Sequence, residues 1–230
     1  MYPEICRIGP IAIYSYGLML ALAFIIGSGL AGLEARKQKM NPDIILSLCF
    51  IGLIFGVIGA RIFYVLENIR FYLQYPKEII ILQHGGLSWF GGLILGFLAC
   101  LFYIRKKKLP VYKVLDLLAP FIALGQAFGR VGCFLNGCCF GKTVIPIQLI
   151  SSALLLVIFL ILRAIQDRRH KEGTVFFSYL LLYSIKRFFV EFWRTDNPLF
   201  FHGLTLFQVL SIGLFLAASI KLLLLRGKKP

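Results

Sequence analysis

Apolar residues in this chain gather in long unbroken runs, without the strict alternation of a half-buried strand or the narrow stripe of a soluble helix. Runs of about 20 residues suffice, as helix, to cross roughly 30 Å of hydrocarbon. They lie near 11–33, 44–66, 86–104, 114–135, 147–164, 174–193 and 204–225. They predict an all-α polytopic membrane bundle of about seven transmembrane helices, one integral membrane domain over 1–230. The breaks are short and polar. Arg36, Lys37 and Lys39 follow the first run, Arg105 and Lys106 to Lys108 the third, the basic stretch 163–171 the fifth, and Arg226, Lys228 and Lys229 the seventh. The intervening loops are poor in basic residues, with Arg70 and Lys77, then Lys142, then Arg194. Basic loops stay in the cytoplasm, so the alternation places the N-terminus outside and the C-terminus in the cytoplasm. The first run has neither a basic leader nor a small-residue cleavage pattern and is expected to remain in the mature protein.

Composition agrees with the pattern. Of 230 residues, 59% are hydrophobic and only 15% charged, and the mean hydropathy is +0.85. A soluble domain cannot hide that much apolar surface, and the runs leave no room for a sizeable soluble domain beside them. The net charge of +15 would suit nucleic acid, but its Lys and Arg residues sit in short loop clusters, so nucleic acid is set aside as a partner. Closely spaced glycines (Gly52, Gly56 and Gly59; Gly92 and Gly96; Gly125 and Gly129) read as helix-packing positions. The 67–83 loop, with Tyr72 and Tyr75, reads as an interfacial segment.

Ionisable residues inside apolar runs cost roughly 2.5–3.5 kcal/mol each on insertion scales, so Arg61, Asp116, Arg130, Lys186, Arg187 and Glu191 need explanation. With the orientation above, Tyr16, Arg61, His84, Ser88, Arg130, Arg187 and Glu191 all fall toward the outer side, while Asp116 falls at the cytoplasmic start of its run. Tyr183, Arg187, Glu191 and Arg194 share one helix stripe. Two readings of that stripe stand side by side. Either Arg187 and Glu191 only neutralise each other in the membrane, or Glu191 holds the Arg187 fork toward a phosphate. The glycine pair Gly85 and Gly86 between His84 and Ser88 either permits a tight turn or frees backbone N–H groups for an anion.

The stretch from Gly129 and Arg130 through Cys133, Asn136, Cys138, Cys139 and Gly141 is the most informative. An arginine at a span end followed by a Gly-, Asn- and Cys-rich turn suits a head-group site. Cys49 and Cys100 read as packing residues. For Cys133, Cys138, Cys139 and Cys6, a disulfide or packing is placed first, a nucleophilic cysteine beside Arg130 second, and metal binding third, since no second CxxC accompanies them.

At these residues the sequence resembles the prolipoprotein diacylglyceryl transferase family. The resemblance runs in order through Ile8, Gly9 and Pro10, then Tyr16 to Met19, Gly59 to Arg61, Gly85 to Ser88 with Gly91 and Gly92, and Asp116 to Pro120. It continues through Gly129 and Arg130 with Asn136 and Gly141, and ends on Arg187 to Arg194. It implies a multi-pass protein of the bacterial cytoplasmic membrane that moves the diacylglyceryl group of phosphatidylglycerol to the lipobox cysteine of an exported prolipoprotein. A thioether forms and glycerol phosphate leaves. The implied partners are phosphatidylglycerol, the prolipoprotein signal peptide and membrane lipids, and no cofactor or metal is implied. Arg130 and Arg187 match the family's essential arginines, Tyr16 its tyrosine near the site, and Asn136 and Gly141 its signature positions. Arg61, Ser88 and Glu191 are assigned to substrate binding.

The chain also departs from the family pattern. Phe90 stands where a histidine usually precedes the second glycine pair, and His84 stands where aspartate is usual, so His84 is the candidate base. Cys133 and Cys138 replace the signature's asparagine and glutamate. The head between the fourth and fifth runs is reduced to 142–146. Two alternatives follow: a paralogous enzyme using the same lipid pocket with another acceptor, and a non-catalytic lipid-binding or transport protein.

Overall fold

The apolar runs become helices whose large side chains point outward. The computed structural model describes residues 4–8, 11–81, 85–139, 141, 146–194, 198–201 and 203–227. Two antiparallel strands, β1 (Glu4–Ile8) and β2 (Ile11–Tyr14), lead into α1 (Ser15–Lys37). Then come α2 (Pro42–Glu67), the short α3 (Ile69–Gln74), a 3-10 turn (Pro76–Ile79), α4 (Trp89–Lys106), α5 (Val111–Asn136), α6 (Ile147–Gln166) and α7 (Thr174–Glu191). A small hairpin of β3 (Leu199–Phe201) and β4 (Leu204–Thr205) precedes α8 (Leu206–Gly227). Among the described residues six helices are long and apolar enough to cross a membrane. The exception among the long helices is α7, where Lys186, Arg187 and Glu191 interrupt the apolar run; all three are buried by neighbouring helices. Outward-facing Ile25, Leu33, Ile54, Leu98, Phe102, Leu160 and Leu223 are exposed, as lipid-facing positions should be. The protein is a multi-pass helical membrane protein.

Two boundaries differ from the sequence expectation. Residues 11–14 pair as a strand before α1 begins, and 204–205 form β4 before α8. Apolar runs alone do not reveal where an extended entry segment gives way to helix.

The chain forms two units, 35–114 and the remainder. In the 35–114 unit, α2 and α4 meet through glycines. A Cβ on Gly59 would strike the Gly91 carbonyl, and one on Gly91 the Gly59 carbonyl. A Cβ on Gly96 would come within 3.3 Å of the Gly52 carbonyl oxygen. The small-residue reading holds for this pair, where backbones approach because side chains are absent. Gly125 and Gly129 have the same spacing but open space beside them.

In the other unit, α5 runs parallel to α7 and antiparallel to α1 and α6. Ala119, Ala123 and Ala127 of α5 pack with Leu155, Ile158 and Leu162 of α6 and with Val175 and Tyr179 of α7. One end is closed by Asp116, which accepts from the backbone N–H of Gly173 (2.6 Å) and Phe176 (2.8 Å). Its charge therefore satisfies donors at the start of α7, which accounts for a carboxylate set apart from the other ionisable groups. At the same end Arg163 pairs with Glu34 at 2.8 Å.

Candidate functional site

The opposite end of that unit collects the charges of α5 and α7. Because the two helices are parallel, Arg130 near the end of one lies level with Arg187 and Glu191 near the end of the other. Glu191 is buried and pairs with Arg187 at 3.1 Å, one helical turn earlier, and with Arg194 at 3.9 Å. Its other oxygen accepts a 3.0 Å hydrogen bond from the Thr205 hydroxyl. Thr205 is in turn fixed by a reciprocal box at the start of α8. Its hydroxyl accepts from the Gln208 N–H at 3.3 Å, and the Gln208 amide oxygen accepts from the Thr205 N–H at 2.9 Å. The Arg187 guanidinium lies 4.4 Å from the Phe207 ring centroid, a stacking contact that sets its plane.

Three arginines and a lysine meet here. Arg130, Arg187 and Arg194 all lie within electrostatic reach of Lys186. Among the described residues Glu191 is the one carboxylate inside this group, and Arg130 has no hydrogen-bond or ion-pair partner. Such an excess of buried positive charge favours an anion, and arginine forks match the oxygens of a phosphate.

The turn after α5 forms the rim. Gly132 lies so close to α1 that a Cβ there would sit 3.1 Å from Tyr16 and Met19 side chains, which places Tyr16 beside the last turns of α5. Gly137 takes φ +72° and Cys139 φ +62°. Gln148 of α6 donates to the Cys138 carbonyl at 2.7 Å, and the Asn136 side chain hydrogen-bonds to the Cys138 thiol. Gly141 forms an antiparallel bridge with Arg194, and a Cβ there would come 2.8 Å from the Trp193 carbonyl oxygen. Glycine is therefore required for the turn to dock on the end of α7. The sulfurs of Cys133, Cys138 and Cys139 all lie within 4.8 Å of one another. A hydrogen bond with Cys133, helped by Cys138, Arg194 and Arg130, pulls the Cys139 thiol below its ordinary range, to about 5.

Thus Tyr16, Arg130, Asn136, Gly141, Arg187 and Glu191 come together. Arg61 and Ser88 belong to the other unit. There Arg61 donates all five of its N–H groups to backbone carbonyls, those of Glu78, Ile79, Ile81, Gly85 and Gly86. Its side chain also lies 5.4 Å from the Tyr72 ring centroid. Ser88 donates to Glu67 at 3.0 Å, and its N–H to the Ala60 carbonyl at 2.9 Å. Gly85 and Gly86 have φ of +81° and +84°, so the glycine pair here makes the turn. His84 lies outside the described residues.

Sequence reasoning passed over Thr205 and Gln208, and marked Gln148 only as what remains, with Pro146, of a family segment. The first two were readable as a Thr-x-x-Gln capping box, but they sat at the edge of an apolar run. The contact that Gln148 makes carried no local signal, because its partner is a backbone carbonyl ten residues back.

The arrangement defines a class: a multi-pass membrane protein with a buried cationic, anion-accepting site at one end of a helical unit. A family model described as prolipoprotein diacylglyceryl transferase matches residues 3–224. Curated relatives named phosphatidylglycerol–prolipoprotein diacylglyceryl transferase agree. That of Trichormus variabilis is 36% identical, covering 91% of this chain and 84% of its own length. That of Lactobacillus gasseri is 32% identical, with 95% and 88% covered. That of Clostridium tetani is 32% identical, with 85% and 86% covered. The chain belongs to the prolipoprotein diacylglyceryl transferase family, and by that membership it is a transferase.

Proposed function

We propose that the protein transfers the diacylglyceryl group of phosphatidylglycerol to the lipobox cysteine thiol of exported prolipoproteins at the outer leaflet of the bacterial cell membrane. The names of the relatives support the substrates. The observation that carries the reading is the group of Arg130, Lys186, Arg187 and Arg194 around one described carboxylate.

The reaction explains why such a site is needed. The acceptor thiol gives up its proton, and its sulfur attacks the glycerol carbon that bears the phosphate. The carbon–oxygen bond breaks, and its electron pair stays on the phosphate oxygen. The phosphate thus goes from one negative charge as a diester to nearly two as a departing monoester. Arginines held in place before the reaction bind that developing charge more tightly than the substrate, which is what accelerates a step. Arg130 and Arg187 take the phosphate. Glu191, fixed by Thr205, orients Arg187. Tyr16, Asn136 and Gly141 shape the head-group pocket. Arg61 and Ser88 contribute by fixing the backbone on both sides of His84.

Purified protein with phosphatidylglycerol micelles and a synthetic lipobox peptide, followed by mass spectrometry, tests the reading. The expected product is peptide carrying one diacylglyceryl unit. The Arg130→Ala variant, inserted normally, should give none. Unmodified peptide with the unaltered protein would move the assignment to a different acceptor. Normal turnover by Arg130→Ala would remove the phosphate clamp.

A further inference from the structure

Three thiols from one short turn converge beside the arginines, and the reaction as described gives them no role. Cys133 is on the last turns of α5, and Cys138 and Cys139 follow its end. All three sulfurs lie within 4.8 Å of one another, with 3.7 Å between Cys138 and Cys139. Thiolates around a four-coordinate zinc ion, at Zn–S of about 2.3 Å, sit about 3.8 Å apart. The turn is held in this shape. The Cys138 N–H donates to the Cys133 carbonyl at 3.1 Å, Gln148 grips the Cys138 carbonyl, and Gly141 is bridged to Arg194. Cys139 takes a left-handed φ, disfavoured for a residue with a Cβ, so the surrounding contacts impose it. A disulfide would use two of the sulfurs and leave the third unexplained. A divalent ion uses all three. The resulting unit carries one net negative charge, and Arg130 and Arg194 are close enough to Cys139 to balance it.

We propose that Cys133, Cys138 and Cys139 bind one soft divalent ion of the zinc class, and that its remaining position takes the acceptor cysteine thiol. Three protein ligands with one open position is the pattern of a catalytic rather than a structural zinc site. A thiol that coordinates such an ion loses its proton outright, here to water. The bound sulfur then forms the carbon–sulfur bond as the carbon–oxygen bond to phosphate breaks. Glycerol phosphate departs with the electron pair, and the uncharged thioether, a poorer ligand than the thiolate, dissociates. This assigns deprotonation to the ion and not to an imidazole, which fits a chain with Phe90 next to the second glycine pair. The acceptor half of the proposal rests on the function proposed above, and the ion site does not.

The test starts from protein purified without chelators, its metal content read by elemental mass spectrometry. About one zinc per chain is expected, with affinity falling about tenfold or more in Cys133→Ser, Cys138→Ser and Cys139→Ser. Cobalt(II) replacing zinc in the unaltered protein should show sulfur-to-cobalt charge-transfer absorption, which does not depend on any variant folding. Adding lipobox peptide should shift the cobalt visible bands, and the same peptide with serine for its cysteine should not. Removing the ion should abolish peptide modification, and zinc should restore it. Metal-free protein that modifies peptide, or two of the three thiols oxidised in active protein, would overturn the ion site and leave the transferase reading intact. A bound ion whose cobalt spectrum ignores the peptide, in protein that still modifies it, would overturn the acceptor position alone. A bound ion in protein that never modifies peptide would support the site and overturn the function instead.

Discussion

Arg187 and Glu191 show how one side chain in a bundle depends on another. A guanidinium buried away from water needs a partner, and the carboxylate one turn later supplies it. Glu191 in turn is held by the Thr205 hydroxyl. Glu191→Gln keeps the shape but removes the charge that orients Arg187. Transferase kcat/KM should fall about a hundredfold, of the order seen when a positioned charge contact is lost at a reacting group, while membrane insertion is unchanged. Activity within twofold of the parent would show that Arg187 needs no positioning. Thr205→Val should act more weakly, since interhelical hydrogen bonds in bilayers are worth about 0.6–1.7 kcal/mol, roughly a threefold to twentyfold loss. Arg187→Lys should not rescue Arg187→Ala, because a point charge cannot reproduce a two-pronged contact; rescue in the same assay would mean that charge alone suffices. Arg187 and Glu191 were legible from their four-residue spacing. The contribution of Thr205 was not, because its acceptor lies fourteen residues earlier and only the β3–β4 hairpin brings the two together.

The two glycine series show why spacing alone underdetermines an element's role. Gly59 and Gly129 each follow another glycine at helical spacing, yet only the first faces another backbone. Which face of a helix meets a neighbour depends on partners that the local sequence does not name. Gly91→Val should therefore push α4 from α2 and lower the unfolding midpoint of the detergent-solubilised protein by several degrees, by overpacking of about 1–3 kcal/mol. Gly125→Val should leave it nearly unchanged. Equal shifts for the two would contradict the close approach of α2 and α4. The same limit applies to Arg61. The sequence marks it as a buried charge, but its five carbonyl partners lie in an irregular segment with no periodicity to read. Its placement makes it an anchor for residues 78–81 and for Gly85 and Gly86, and Arg61→Met should increase amide exchange there. Exchange unchanged at those amides would mean that Gly85 and Gly86 hold the turn unaided.

Both units turn large apolar side chains outward, so the architecture was readable from hydropathy, while the site, built from buried polar groups that other helices bring together, was readable only in part. The seven runs correspond to seven long helices among the described residues, because in hydrocarbon every backbone group must be satisfied within its own segment. Orientation follows from a different quantity, the placement of basic residues. Lys and Arg cluster after α1, α4, α6 and α8, and moving such clusters across a bilayer during insertion is unfavourable. We propose on that ground that the chain's end lies in the cytoplasm and the ends of α5 and α7, with Arg130 and Arg187, outside. The proposed reaction requires this arrangement, since an exported prolipoprotein presents its cysteine at the outer leaflet. A fluorescent protein fused after Pro230 should therefore mature and fluoresce, whereas alkaline phosphatase at the same place should be inactive, because it needs the oxidising side to form its disulfides. Alkaline phosphatase inserted between Gly141 and Pro146 should be active. The opposite pattern would put the cationic site in the cytoplasm, where it could not meet an exported acceptor. A buried anion site would remain, but it would have to serve a cytoplasmic substrate.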